Sequence, residues 1–390
     1  MTTLHLRKSI SRSPWRLGSL LLALALACLA LSPMARAVTP APDGGYTGQN
    51  TAEGTDALFS LTTGFSNTAM GFDALYSNTT GAENTAIGYQ ALFHNKNGGN
   101  NAATGWQALY ANTSGNYNTA AGFEALVGNT TGSANTANGA GALQANTTGQ
   151  NNTANGVNAL NSNKGSFNTA NGVGALYYNV TGHNNTANGF QALNYNYTGS
   201  NNSANGYQAL YGDPSNLSTG SNNTANGYWA LYSYTTGSYN TANGFQALYH
   251  NTEGNFNTAN GSSALLHNTT GNSNIALGVN AGSNLTTGNG NVCIGAGVSG
   301  FAGESNTTRI RNVYSSVASA RAVYVDSDNK IGTLASSRRF KDEIKPMDKA
   351  SEAILALQPV TFRYKKELDP EAIPQFGLVA EEVEKVNPLW

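Results

Sequence analysis

Asn240-Thr241-Ala242-Asn243-Gly244-Phe245-Gln246-Ala247-Leu248-Tyr249 is followed by His250-Asn251-Thr252-Glu253-Gly254, and variants of this unit recur through most of the chain. The closing glycine of the N-T-A-x-G element falls at Gly54, Gly71, Gly88, Gly105, Gly122, Gly139, Gly156, Gly172, Gly189, Gly206, Gly227, Gly244, Gly261, Gly278 and Gly295. The step is 17 residues, with one step of 16 and one of 21. The long step carries Asp213-Pro214-Ser215-Asn216, which is expected to bulge as a loop. A second glycine precedes each new unit, as at Gly64, Gly81, Gly115, Gly132 and Gly149. Paired glycines supply backbone conformations that other residues resist. Asn-Thr-Thr-Gly is turn chemistry, and the alternating stretches between turns are strand-length rather than helix-length.

These features predict a mainly β fold: a parallel β-roll or β-solenoid of about fifteen 17-residue repeats. Each unit is read as one coil of two short strands and two turns. A lone coil cannot bury its apolar residues, but stacked coils can. Identical residues would then recur about every 4.8 Å along a rod on the order of 70 Å long. Asn amides can share hydrogen bonds in such ladders, and aromatic rings can stack. The strict register of Ala-Leu and of the aromatics argues against a flexible low-complexity linker.

Of the 390 residues, 11% are charged, the net charge is −1, and 45 are glycine. A nucleic-acid surface needs a basic field, so that partner is excluded. With 19 Tyr and 13 Phe at regular places, simple disorder is excluded too. Arg7, Lys8, Arg12 and Arg16 precede the apolar run Leu17 to Leu31, and Ala35-Arg36-Ala37 is a small-x-small site. The reading is a signal peptide over 1–37, cleaved between Ala37 and Val38, then a linker over 38–47. Export to a bacterial outer surface or the medium follows, with no membrane span after signal removal. Cleavage would leave Cys293 as the lone cysteine, so stability must come from packing or assembly.

Asn274-Ile275-Ala276-Leu277-Gly278 and Asn291-Val292-Cys293-Ile294-Gly295 resemble the head repeats of YadA-like trimeric autotransporter adhesins. The resemblance covers residues 48–300. It implies a left-handed parallel β-roll and a homotrimer. The usual family repeat is shorter, and its apolar positions are mostly Thr and Asn in this chain, so the implied trimer interior is more polar. The family's membrane β-barrel is not seen.

Residues 301–335 read as a β-rich connector, in which Val323-Tyr324-Val325 alternates and Asp326-Ser327-Asp328-Asn329-Lys330 is a turn. Beyond it the composition becomes charge-rich. Lys349 to Leu357 is expected to be a helix capped by Asp348, Val360 to Tyr364 a strand, and Phe376 to Ala380 a second strand leading into a helix at Glu381. Ser336-Ser337-Arg338-Arg339-Phe340-Lys341-Asp342-Glu343-Ile344 and Phe376-Gly377-Leu378-Val379-Ala380-Glu381-Glu382-Val383 resemble the two signatures of the intramolecular chaperone domain of tailspikes and endosialidases, peptidase family S74. The segment 336–390 is read as a partial domain, ending at Trp390 before the coiled-coil helix that closes the family's domain.

That resemblance implies trimerisation followed by one self-cleavage, with Ser336 as nucleophile, Lys341 as its base and Ala335-Ser336 as the bond cut. Serine is a weak nucleophile without a base. Lysine serves as a base only when neutral, and the neighbouring Arg339 would favour that form. Ser337 stands where the family commonly has an acidic residue. No activity on other substrates is expected, nor any cofactor. His94, His183, His250 and His267 have no acidic or cysteine partners in the pattern, so no metal is expected. The functional reading is a secreted or surface-exposed trimeric fibre, adhesin-like, with a C-terminal assembly segment. The alternatives are a phage-derived tail fibre binding a host glycan, and a self-processing serine peptidase with an inactive partial domain.

Overall fold

The computed structural model describes residues 46–312, 323–325, 328, 330–333, 356–365 and 374–386. The chain divides into two compact units, 1–314 and 315–390.

In the first unit, sixteen three-residue strands run from β1 (Thr51–Glu53) to β16 (Thr308–Ile310). They form one parallel sheet in strict chain order. The pairing joins equivalent residues of consecutive repeats: Thr224 to Thr241, Ala225 to Ala242, Asn226 to Asn243. This is the expected solenoid, one strand per coil. Side chains alternate along a strand, so the central Ala of Thr-Ala-Asn points inward and is fully buried, while Thr and Asn face out. The ladder extends beyond Gly300 to Ile310, through a sixteenth strand that pairs with β15 (Val292–Ile294).

The second segment of each coil is not a strand. Asp73 and Leu75 adopt φ of 55° and 52°, and the equivalent pair in most other coils does the same. These left-handed residues curl the chain so that adjacent Ala74 and Leu75 are both fully buried. A flat strand would point one of them outward. The curled segments still stack coil on coil: Leu75 N–H donates to Ala91 O at 3.0 Å, and Ser77 N–H to Phe93 O at 3.0 Å.

The interior is narrow and filled by two alanines, one leucine and two asparagines per coil. Both asparagine rows are fully buried and hydrogen-bonded. Asn84 donates its N–H and its Nδ2 to Asn67 Oδ1, each at 3.0 Å, and Nδ2 also to Gly98 O at 2.9 Å. In the second row Asn95 Nδ2 donates to Asn78 Oδ1 and to Gly98 O, both at 2.9 Å. Buried amides are costly unless paired, and stacking pairs them. The closing glycine is required where coils touch. Gly139 has φ of 137°, and a Cβ on it would lie 2.5 Å from the Gly156 carbonyl oxygen.

Arg309 takes the inward position of β16, opposite Cys293. Its guanidinium donates to Glu304 Oε1 and lies 5.2 Å from the Phe301 ring centroid. A charged residue replaces the inward alanine in this last coil, as an end cap of a repeat array requires.

In the second unit, β17 (Val323–Val325) and β18 (Ile331–Thr333) pair antiparallel. So do β19 (Val360–Phe362) and β20 (Gln375–Gly377). Helix α1 (Ala380–Val386) follows, with Glu381 and Glu382 in its first turn and Lys385 in its last, matching the helix dipole. The second strand therefore ends at Gly377, and Ala380 already belongs to the helix. The helix expected over Lys349 to Leu357 lies outside the described residues up to 355.

Candidate functional site

Three surfaces of the solenoid carry chemistry. The first is the outward face of the sheet. From Asn138 to Asn243 the outward amides form a chain, with Nδ2 to Oδ1 distances of 2.8 Å from Asn138 to Asn155 and 2.7 Å from Asn171 to Asn188. A row of Thr runs beside it, with Ser203 the single exception between Thr136 and Thr258. Toward both ends the same face turns apolar, with Met70 and Ile87 near the start and Ile275, Leu277 and Ile310 near the finish, all well exposed. The face carries Glu53 in its first coil and Arg309 is turned inward in its last, so it is almost free of charge.

The second surface holds the aromatic rows. Phe72, Tyr89, Trp106 and Phe123 stack along the fibre axis with centroids 5.4, 5.9 and 4.9 Å apart. Phe59, Tyr76, Phe93 and Tyr110 form a second row at 5.1 to 5.3 Å. These rings lie on the outside of the coil, with Phe59, Phe72, Tyr89, Trp106 and Phe123 well exposed and Tyr76, Phe93 and Tyr110 partly so. Their faces cover one another and their edges meet solvent.

The third surface is the aperiodic coil. Asn196 is the last of an unbroken run of buried asparagines in the second row. The coil with the four-residue insertion puts buried Ser218 beside it, and the next coil has Tyr234 in place of the asparagine. The small Ser218 leaves space that the Tyr234 ring fills. The phenol donates to Asn196 Oδ1 at 2.7 Å across two coils, and Ser218 Oγ donates to Tyr234 O at 3.0 Å. Complete burial pushes the Tyr234 phenol far above its usual range. A similar exchange ends the row: Gly282 replaces a core leucine, and buried Leu285 replaces the asparagine three positions later.

In the second unit, the turn at Ala356-Leu357-Gln358 and one side of α1 enclose a cavity of about 310 Å3, lined also by Leu378, Val379 and Val383. Val379 O accepts from the N–H groups of Glu382 and Val383, both at 3.0 Å, which starts the helix directly after the second signature.

Residues 336–389 match the family described as peptidase S74, chaperone of endosialidase. No curated protein and no solved structure matches the chain significantly. The chain thus joins a β-solenoid of about fifteen turns to a C-terminal chaperone-of-endosialidase segment. That combination fits a structural protein of the tail-fibre type.

Of the residues singled out in the sequence, Ala37, Val38, Ala335, Ser336 and Lys341 lie outside the described residues. Cys293 stands in the inward alanine position of β15 and is fully buried, with burial pushing its thiol up. His250 and His267 stack with centroids 5.7 Å apart, and burial lowers the His250 pKa with a smaller contribution from His267. Among the described residues no three His, Cys, Asp or Glu side chains converge as a metal site would need. Among them, too, no helix is long and apolar enough to cross a membrane. The exchange at Ser218 and Tyr234 was not foreseen. Its trace in the sequence is a break in the second asparagine row next to the one long step.

Proposed function

We propose that this chain is the subunit of an exported homotrimeric fibre, structural and adhesin-like, assembled by its C-terminal chaperone segment. The observation that carries the reading is the pairing of a fully stacked solenoid with a segment matching a fibre-assembly family. The resemblance of the repeats to YadA-like heads supports the same arrangement. The nearly uncharged sheet face is the surface by which three copies would meet, apolar at its ends and threonine-asparagine in the middle. A hydrogen-bonding interface of this kind favours a defined register over raw affinity.

In this reading Ser336 then attacks the Ala335 carbonyl, with Lys341 taking the hydroxyl proton. The acyl group moves from nitrogen to oxygen, the amine of Ser336 is freed, and water opens the ester.

Light scattering on the mature protein, from Val38 onward, tests both steps. The expected mass is three subunits, with wild type shortened at Ala335-Ser336 and Ser336→Ala left intact. Asn188→Lys with Asn205→Lys should break the trimer by burying like charges together. A monomeric wild type defeats the trimer, and wild type that never shortens defeats the cleavage.

A further inference from the structure

The inserted loop does more than bulge. In the row formed by Tyr178 and Tyr195 the rings stack 5.1 Å apart with an interplanar angle of 15°. The next residue of that row is Gly212, so the parallel stack ends there, and the neighbouring Tyr211 meets the Tyr195 ring edge-on at 5.1 Å. Gly212 has φ of 86°, and a Cβ on it would come within 3.0 Å of Tyr195 Cβ, so the chain turns tightly against Tyr195. The insertion then folds out beside the tyrosines. Together they enclose a groove of about 350 Å3 lined by Tyr178, Tyr195, Tyr197, Asp213, Pro214 and Leu217.

The lining is specific in its chemistry. Asp213 is fixed inside the loop: one carboxylate oxygen accepts from Ser215 N–H at 2.8 Å and the other from Asn216 Nδ2 at 2.7 Å. Those hydrogen bonds, that from Ser215 first, hold its carboxyl below the usual range, so it is anionic near neutral pH. Each oxygen keeps a lone pair for a further donor. Three tyrosines add phenol hydroxyls that both donate and accept. Pro214 and Leu217 add exposed apolar surface, with Leu217 58% exposed. No lysine, arginine or histidine lines the groove.

We propose that this groove is a binding site for a neutral sugar unit, a hexose or an N-acetylhexosamine. A pyranose offers C–H faces for the ring and apolar surfaces and adjacent hydroxyls for a carboxylate acceptor. The volume lies at the small end of ligand pockets, which suits one or two sugar rings. The fixed carboxylate with no basic partner disfavours acidic sugars. The aromatic rows elsewhere do not have an inserted loop with a carboxylate and apolar side chains beside them. The site goes beyond the fibre reading and stands without it: a monomeric chain that binds sugar would overturn the trimer alone.

The test uses the purified full mature chain on an array of immobilised neutral and acidic oligosaccharides, with calorimetry on the strongest neutral ligand. Wild type should bind neutral sugars. Asp213→Asn and Tyr197→Ala should each weaken binding at least tenfold with the thermal melt unchanged. Deletion of 213–216, which restores a 17-residue step, should abolish it. The site is overturned if wild type binds no neutral sugar, or if binding survives Asp213→Asn and the deletion. It is overturned equally if wild type prefers an acidic sugar, or prefers choline as an aromatic cation site would.

Discussion

Asn118 lies in the interior with its amide fully engaged. Its N–H and Nδ2 donate to Asn101 Oδ1 at 3.0 and 3.1 Å, and Nδ2 donates again to Gly132 O at 2.9 Å. Its own Oδ1 accepts from Asn135 N–H at 3.0 Å and Asn135 Nδ2 at 3.1 Å. Asn118→Ala would strand the Asn135 N–H and one of the two Nδ2 hydrogens of Asn135 in a dry interior, while Gly132 O keeps its bond from Asn129 Nδ2. Each stranded group costs about 1–3 kcal/mol. Gln107, off the sheet face, donates Nε2 to Gln90 Oε1 at 2.9 Å, and water can replace that contact, so Gln107→Ala should cost about 1 kcal/mol or less. Denaturant midpoints followed by circular dichroism compare the two. Equal losses would show that burial of the first row adds nothing to its hydrogen bonds.

At the scale of one coil, the exchange between Ser218 and Tyr234 makes a prediction against the consensus. Every repeat-based argument would change Tyr234 back to Asn. That substitution removes a fully buried ring lying over a small residue and leaves a cavity. Large-to-small changes of that kind cost about 3–5 kcal/mol. Tyr234→Asn should therefore lower the melting temperature, and Ser218→Asn added to it should recover part of the loss. A melt unchanged by Tyr234→Asn would mean the neighbouring coils close over the gap. This coil also marks the limit of what the sequence discloses. The strand, the glycine at each coil contact and both asparagine ladders follow from a 17-residue register, because each recurs at that spacing in nearly every coil. The second segment reads as a strand by its length, although its pattern holds the correction: adjacent Ala74 and Leu75 are both apolar, and a strand alternates. The exchange of side chains between coils, and the groove beside the insertion, depend on contacts between residues that break the pattern. A periodic argument is blind to those. For Ser336 and Lys341 the sequence supplies a position in a matched family and no geometry.

For the whole fibre, the scarcity of charge removes the usual acid-sensitive groups and leaves tyrosine as the main titrating element of the solenoid. Burial pushes Tyr211 up to about 12, with a hydrogen bond to Tyr195 and nearby tyrosines adding to the effect. Tyr232 is raised by burial and then by Tyr249, Tyr178 by burial and then by Tyr177, and Tyr234 is raised most of all. In the unfolded chain these phenols ionise near 10. A folded-state value above the unfolded one means the stabilisation is complete below about pH 10 and is lost as pH rises through about 12. Apart from Tyr46 at the start of the solenoid, the raised tyrosines cluster between Tyr178 and Tyr234, so alkali should open the middle of the fibre there first, since coils in a repeat array lean mainly on their neighbours. Phenolate absorbance and circular dichroism recorded together on a rising pH series read this out. Part of the tyrosine signal should appear late and together with the loss of β structure. Tyr234→Phe should move that joint transition to higher pH. If all the phenols titrate near pH 10 while the fold persists, those side chains reach water freely in the native fibre, and the tight packing around Tyr234 would have to be abandoned.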